Sequence, residues 1–186
     1  MRLFLAINLE PAVRRAIIHA TSTLRDAAPT LSWVDESRLH LTLKFFGERQ
    51  ADVVTPLSKS LDDVAARHRT FAMHLGDVGA FPNFRRARVV WMGIARDPRL
   101  ELLHHDVEVA CERQGFELEG RAFRPHLTLA RVKPRADQAE LRKLSRVSRT
   151  IDFKEDSLVQ SLDLMQSTLG AAARYACLHA ATLQAH

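Results

Sequence analysis

The chain has 186 residues, 46% of them hydrophobic and 26% charged, with a formal net charge of +5 at pH 7. This length and composition exclude a disordered, fibrous or small disulfide-rich protein, and we expect residues 1–186 to form a single two-lobed domain. The sequence has two cysteines, no secretory signal and no apolar stretch near the ~20 residues of a membrane span, so we expect a cytoplasmic protein that does not contact membranes. Its moderate positive charge suits a polyanionic ligand.

The first half of the chain alternates between the spacing of strands and the spacing of helices. Residues 1–7 predict a buried strand, and a helix follows from Pro11 to about Ala27 because Pro29 stops it. Next come a short strand at 31–34, a longer strand ended by Gly47, a helix at 52–67 and a strand at 71–75. Two glycines and a proline then predict a loop over 76–86.

The second half continues the same mixture of strands and helices. The pattern predicts a strand at 88–95, a helix from Asp97 to about Gln114, a strand that ends near Pro134, a helix at 136–147, and strands at 149–153, 158–166 and 173–180. We interpret the basic side chains of helix 136–147, which include Arg142 and Lys143, as a solvent-exposed face. The two halves together favour an α+β fold with two pseudo-symmetric lobes of antiparallel sheet and outer helices.

One pattern occurs twice, as RLHLTL at 38–43 and RPHLTL at 124–129. Polar and apolar residues alternate in both copies, so each predicts a strand that buries its leucines and presents a His and a Thr, about 7 Å apart, from the other face. The His-x-Thr triplets at 19–21 and 68–70 lie in helical patterns, where residues i and i+2 point apart. The alternative interpretation is two amphipathic strands that each carry a half-exposed histidine, but so long a match within one chain favours a shared function.

Two histidines that face one groove suit in-line displacement at phosphorus. One neutral imidazole takes a proton from the incoming nucleophile, and a protonated imidazole gives a proton to the departing oxygen. A threonine hydroxyl two residues further on can donate a hydrogen bond to a phosphoryl oxygen. The sequence contains no Walker loop, no His-Glu-x-x-His and no Gly-x-Ser-x-Gly motif, so we expect a reaction without metal or cofactor.

These motifs resemble those of the two-histidine phosphoesterase superfamily, and in particular its bacterial and archaeal RNA 2',3'-cyclic phosphodiesterase branch, also named 2'-5' RNA ligase. The similar segments span the chain: 1–7, 39–47, 79–82 with Arg86, Arg88, Val89 and Trp91, 123–131, and 167–175. The resemblance implies an enzyme that hydrolyses the 2',3'-cyclic phosphate at an RNA end to a 2'-phosphate, with the reverse 2'-5' ligation as a further activity. It also implies a groove between the two motif strands as the active site.

The resemblance implies a role for five residues. His40 is the expected proton donor and His126 the expected proton acceptor, and the expected phosphate ligands are Thr42, Thr128 and Arg131. Strand alternation puts Arg131 on the leucine face, so it must reach the groove from a bulge or a strand end. The alternative for Arg131 is a surface cation at a strand terminus.

Further candidates for RNA binding lie outside the motifs. Lys44 shares the expected face of His40 and is predicted to line the groove, with a solvated lysine at a strand end as the alternative. Four more candidates come from the 76–88 region, where cations could hold the RNA backbone and an aromatic ring could stack on a base: Phe84, Arg85, Arg86 and Arg88. For the nearby Phe81, plugging the core is an equally good interpretation.

Other functions stay open on the sequence alone. The same site could act on ADP-ribose cyclic phosphate or on 2'-5' oligonucleotides, or the chain could be an RNA-end binding module without turnover. A binding module has no need of two histidines at matched positions, because Arg or Lys holds phosphate at every pH. We expect a monomer whose partner is RNA or an oligonucleotide with a 2',3'-cyclic phosphate end.

Overall fold

The computed structural model describes residues 1–134, 136–168 and 174–185. Its strands are β1 (Arg2–Asn8), β2 (Ser32–Trp33), β3 (His40–Glu48), β4 (Phe71–Phe81), β5 (Val89–Ile94), β6 (His126–Arg131), β7 (Glu155–Val159), β8 (Ser161–Thr168) and β9 (Arg174–Thr182). Its α-helices are α1 (Pro11–Ala20), α2 (Ser22–Ala27), α3 (Val54–Ala65), α4 (Pro98–Arg113) and α5 (Gln138–Val147). Short 3₁₀ turns occupy 36–38, 51–53, 84–86 and 148–150. None of the described helices is long and apolar enough to cross a membrane.

The strands form one curled antiparallel sheet in the order β7-β4-β5-β6-β3-β1-β8-β9, with the short β2 paired to β6. Four strands lie on each side of the boundary between β6 and β3, so the sheet divides into two matching halves. These halves are the predicted pseudo-symmetric lobes, and the predicted α+β class is confirmed. The two motif strands are therefore neighbours at the centre of the sheet.

One face of the sheet is covered by helices. The leucines of both motifs are buried there in a single core cluster to which every helix contributes, for example Ile17 from α1, Leu61 from α3 and Val107 from α4. Burial of this apolar surface is the main favourable term in folding. It fixes which face of each motif strand points inward, and it turns the histidines toward the opposite face.

Two predicted boundaries were wrong for local reasons, and one predicted strand does not form. The helix expected to run without a break to Ala27 divides at Thr21, whose hydroxyl donates a hydrogen bond to the carbonyl of Ile17 at 2.8 Å. Strand β4 continues to Phe81 through the expected loop, because Gly79 makes room for the indole of Trp91 across the ladder. The strand expected at 149–153 is a 3₁₀ turn followed by irregular chain, and β7 begins only at Glu155. Residues 169–172, between the last two predicted strands, lie outside the described residues.

The side chain of Lys44 points away from the groove, contrary to the prediction. In the pairing of β3 with β1, Leu43 has no partner. It is an extra residue in β3 and therefore forms a β-bulge. After the bulge the alternation is reversed, so Lys44 is buried on the helix side while Phe45 is 62% exposed. The Lys44 ammonium donates hydrogen bonds of 2.8 Å to both carboxylate oxygens of Glu108, on α4, and to the carbonyl of Glu117.

This buried ion pair ties β3 to the segment that leads into β6. The Glu108 carboxylate also accepts a hydrogen bond from the backbone N–H of Glu119 at 2.8 Å. One carboxylate therefore holds together the first motif strand, α4 and the chain that approaches the second motif.

We predict that Glu108→Gln lowers the free energy of unfolding by about 3–5 kcal/mol, because it leaves a buried ammonium without its counter-charge. Urea denaturation measures the change, with Glu112→Gln as a matched control on an exposed site of the same helix. An effect no larger than that of the control would contradict this account of the pair.

Candidate active site

The two motif strands meet at one described residue pair, Leu41 with Leu127. Paired residues of an antiparallel ladder point to the same face, and their neighbours point to the other. Because both leucines are buried among the helices, the opposite face of the sheet receives the four polar motif residues: His40, Thr42, His126 and Thr128. The two histidines are then diagonal neighbours, on the order of 7–8 Å apart by ladder geometry.

Both imidazoles are held in the same way. The Nδ1 atom of His40 lies 2.7 Å from the carbonyl oxygen of Arg38, and that of His126 lies 2.7 Å from the carbonyl oxygen of Arg124. A carbonyl oxygen can only accept, so each Nδ1 carries a hydrogen and each Nε2 is left to exchange a proton. The Nε2 atom of His40 lies 3.1 Å from the hydroxyl oxygen of Thr42.

Aromatic rings fix the orientation of the imidazoles. Tyr175 meets the His40 ring edge-on, with the ring centroids 5.5 Å apart and an angle of 84° between the ring planes. Phe81 meets the His126 ring in the same way, with a centroid distance of 5.1 Å and an angle of 84°. Phe4 lies 5.1 Å from the His40 ring on the same face. Phe81 also packs on Trp91 at 5.2 Å, so its ring supports the second histidine and does not plug the core between sheet and helices.

A bulge in β6 brings Arg131 to the histidine face. In the pairing of β6 with β5, Leu129 has no partner. The matching leucine of the first motif, Leu43, likewise has no partner in the pairing of β3 with β1. Reversed alternation then turns Arg131 outward, where it is exposed and its charge acts on His40. The matching position of the first motif holds Phe45, so the two symmetric copies present a cation on one side and an aromatic ring on the other.

His40 differs electrostatically from an exposed histidine. Burial lowers the pKa of His40 below its ordinary value of 6.5, the Arg38 carbonyl opposes that change, and the charge of Arg131 lowers the pKa further. The imidazole of His40 is therefore biased toward the neutral form when the groove holds no anion. Nothing in the alternation of the motif could have indicated this bias.

Sequence reasoning missed a carboxylate on the same face. Asn8 is paired with His40 in the β1–β3 ladder, and its side-chain amide donates a 2.6 Å hydrogen bond to Asp163. The Asp163 carboxylate is 5% exposed and also accepts a 2.7 Å hydrogen bond from the hydroxyl of Ser161. The available signal was an aspartate in the otherwise apolar run LDLM at 162–165. Among the described residues, no three His, Cys, Asp or Glu side chains are grouped as a metal site.

The loop candidates lie beside a different cavity. Phe84, Arg85 and Arg86 form the 3₁₀ turn at 84–86 and line a cavity of about 610 Å³ together with residues of α5. Arg88 is exposed but does not line this cavity; its backbone N–H is bonded to the Phe81 carbonyl at 2.8 Å. Three of the four loop candidates therefore line the cavity, and Arg88 does not.

Comparison with known proteins gives a consistent group of matches. The family model of the 2'-5' RNA ligase superfamily matches residues 8–167. A protein named RNA 2',3'-cyclic phosphodiesterase from Methanothermobacter thermautotrophicus is 31% identical over 144 residues, which are 77% of this chain and 78% of that protein. A protein of the same name from Geobacillus stearothermophilus is 33% identical over 128 residues; the match covers 69% of this chain but only 41% of that longer protein. The crystal structure of TT0787 of Thermus thermophilus superposes with a TM-score of 0.81 at 27% identity, covering 100% of this chain and 99% of that one.

We predict that Arg131→Gln raises the pKa of His40, because it removes a positive charge that disfavours the imidazolium, while burial keeps the pKa below 6.5. An NMR titration of the imidazole resonances measures the change. Lys143→Gln, which removes the same charge from an exposed site of α5, is the control. Equal pKa values in the wild type and Arg131→Gln would show that the guanidinium does not act on His40.

Proposed function

The chain belongs to the 2'-5' RNA ligase superfamily, and we propose that it hydrolyses 2',3'-cyclic phosphate ends of RNA to 2'-phosphate ends. The observation that carries the proposal is the pair of imidazoles on one face of the sheet, each with Nδ1 bonded to a carbonyl at 2.7 Å and Nε2 left to exchange a proton. The names of the relatives support the cyclic phosphate as substrate. 2'-5' ligation follows from the same geometry when the 5'-hydroxyl of another RNA strand replaces water as the nucleophile: its oxygen bonds to phosphorus, and the P–O3' bond breaks.

The proposed reaction moves one proton on each side of the phosphorus. Neutral His126 takes a proton from water through Nε2, and the water oxygen attacks phosphorus in line with the P–O3' bond. That bond breaks, and protonated His40 gives the Nε2 proton to O3', leaving phosphate on O2'. Thr42 and Thr128 donate hydrogen bonds to the non-bridging oxygens, and Arg131 balances the negative charge that develops there. No step uses a metal ion.

Protonation of His40 depends on the substrate in this scheme. Burial and Arg131 favour the neutral imidazole in the free protein, whereas the acid must be protonated. A cyclic phosphate carries a negative charge, and an anion beside Nε2 raises the pKa of the imidazole. The negative charge of the bound phosphate thus favours the protonated form of His40 before the reaction. The lowered pKa then favours transfer of that proton to the departing oxygen.

A non-catalytic RNA-end binder fits the site less well. Burial lowers the pKa of His40 and thereby weakens its grip on an anion near neutral pH. An arginine in its place would hold phosphate at every pH. Related substrates, such as ADP-ribose cyclic phosphate and 2'-5' oligonucleotides, are distinguished by comparing their kcat/KM with that of a cyclic-phosphate RNA end.

We predict that His40→Ala and His126→Ala each lower turnover of a cyclic-phosphate oligonucleotide by roughly 10²–10⁴, the usual contribution of a positioned acid or base. Steady-state rates measured in excess EDTA test this, with circular dichroism to confirm folding. His105→Ala, on the exposed side of α4, is the control and should keep the wild-type rate.

Two outcomes would contradict the scheme. A folded His40→Ala or His126→Ala variant with near wild-type turnover removes that histidine from the mechanism. Loss of wild-type turnover in EDTA, restored by one divalent metal, overturns the metal-free reaction.

We predict a single product, the 2'-phosphate, because His40 protonates O3' in the proposed pose. Phosphorus NMR of the product, checked against authentic 2'- and 3'-monophosphates, identifies which bond breaks. A 3'-phosphate would mean that the two histidines have exchanged roles, and an even mixture would mean that the ribose binds in both orientations.

A further inference from the structure

A cavity lies outside the histidine groove, between the 3₁₀ turn at 84–86 and α5. It is open to solvent and has a volume of about 610 Å³. Its lining consists of Asn83, Phe84, Arg85, Arg86, Gln138, Leu141, Arg142 and Ser145. We call it the α5 cavity.

The lining of the α5 cavity has the chemistry of an anion site. The described lining residues supply three guanidinium groups, from Arg85, Arg86 and Arg142, and no carboxylate. Among the described residues, none of these three guanidinium groups has a carboxylate within 4 Å; the arginines that form ion pairs are Arg38, Arg67, Arg96 and Arg99. Guanidinium groups bind phosphate oxygens through paired N–H donors. The amides of Asn83 and Gln138 and the hydroxyl of Ser145 offer neutral donors beside them.

Local structure holds the lining in place from both sides. The Asn83 side chain accepts a hydrogen bond from the backbone N–H of Arg86 at 3.1 Å, which fixes the 3₁₀ turn. On α5, the lining residues follow the i, i+3, i+4, i+7 spacing of one helix face: Gln138, Leu141, Arg142 and Ser145. Leu141 is buried in the core and sets the rotation of the helix, so Arg142 is turned toward the cavity while Lys143 is not.

The α5 cavity is connected to the histidine groove by a short piece of chain. The Phe81 ring contacts His126 at 5.1 Å, and Asn83, two residues later, already lines the cavity. Chain geometry limits the distance from the imidazole to Asn83, at the near side of the cavity along the chain, to the order of 15 Å. An RNA strand whose last phosphate lies between the histidines can therefore reach the cavity with an upstream phosphodiester.

We propose that the α5 cavity binds a phosphodiester of the RNA chain upstream of the cyclic end, with Arg142 as a principal contact. This inference rests on the proposed function and extends it, because it makes an RNA strand, and not a cyclic mononucleotide, the preferred substrate class. The sequence alone predicts a solvent-exposed face for the basic side chains of this helix, because the other wall of the cavity comes from a distant loop.

The test compares Arg142→Ala with Lys143→Ala. Both remove one positive charge from exposed sites of α5 and place a good helix former there, but only Arg142 lines the cavity. For each variant, KM is measured for a 2',3'-cyclic mononucleotide and for cyclic-phosphate oligonucleotides of increasing length. Fluorescence anisotropy on a labelled RNA with a 2'-phosphate end gives Kd without requiring turnover.

We expect Arg142→Ala to raise the KM of long oligonucleotides relative to the mononucleotide roughly tenfold, the usual contribution of one charge-assisted hydrogen bond. Its Kd should rise similarly, and the slope of log K against log salt should become shallower by about 0.7 for each phosphate that the variant no longer neutralises. Lys143→Ala should show neither change. Equal effects in the two variants, or no effect in either, overturn the cavity as a phosphate site. Absence of turnover in the wild type would count against the proposed function alone, because the Kd comparison still decides the cavity.

Discussion

The pairing of Leu41 with Leu127 is the constraint on which the rest of the structure depends. It sets the register between the two motif strands, and a register error of one residue would turn one histidine into the core. Burial of both leucines against the helices supplies the energy that holds this register. Since the pair lies at the centre of a sheet with four strands on each side, it also relates the two lobes by an approximate twofold symmetry. The common face of His40, Thr42, His126 and Thr128 follows from this one contact.

Sequence reasoning succeeded where alternation alone decides the geometry. It predicted the two motif strands, their buried leucines and the common face of His40 and His126, because each of these depends only on a period of two. It failed at Lys44, because a bulge inserts a residue into a ladder without leaving a signature in the sequence. The same kind of bulge in the second motif puts Arg131 on the groove side, where the family resemblance required it. The cavity beside α5 could not be predicted either, since it joins residues more than fifty positions apart whose approach depends on packing.

The symmetry of the groove is broken at specific positions. The second residue after each bulge is a cation in one copy and an exposed aromatic ring in the other, Arg131 and Phe45. One imidazole packs against Tyr175 and the other against Phe81. Burial and a nearby charge lower the pKa of His40, which biases one of two chemically identical groups. A symmetric fold thus provides two imidazoles at matching positions, and a few unmatched neighbours give them different surroundings.

The packing of Trp91 gives the protein an internal optical reporter of its groove. The chain has two tryptophans, and Trp33 packs against the helix-side core, where its indole N–H donates a 2.9 Å hydrogen bond to the carbonyl of Ala28. Trp91 is paired with Thr128 in the ladder and stacks near Phe81, so it shares the face of the second motif. The Trp91 ring lies directly against Gly79, where a Cβ would clash with it. The position of the indole therefore depends closely on that of β4. Changes in emission that originate from Trp91 therefore report events beside one histidine, without a label and without a chromophore in the ligand.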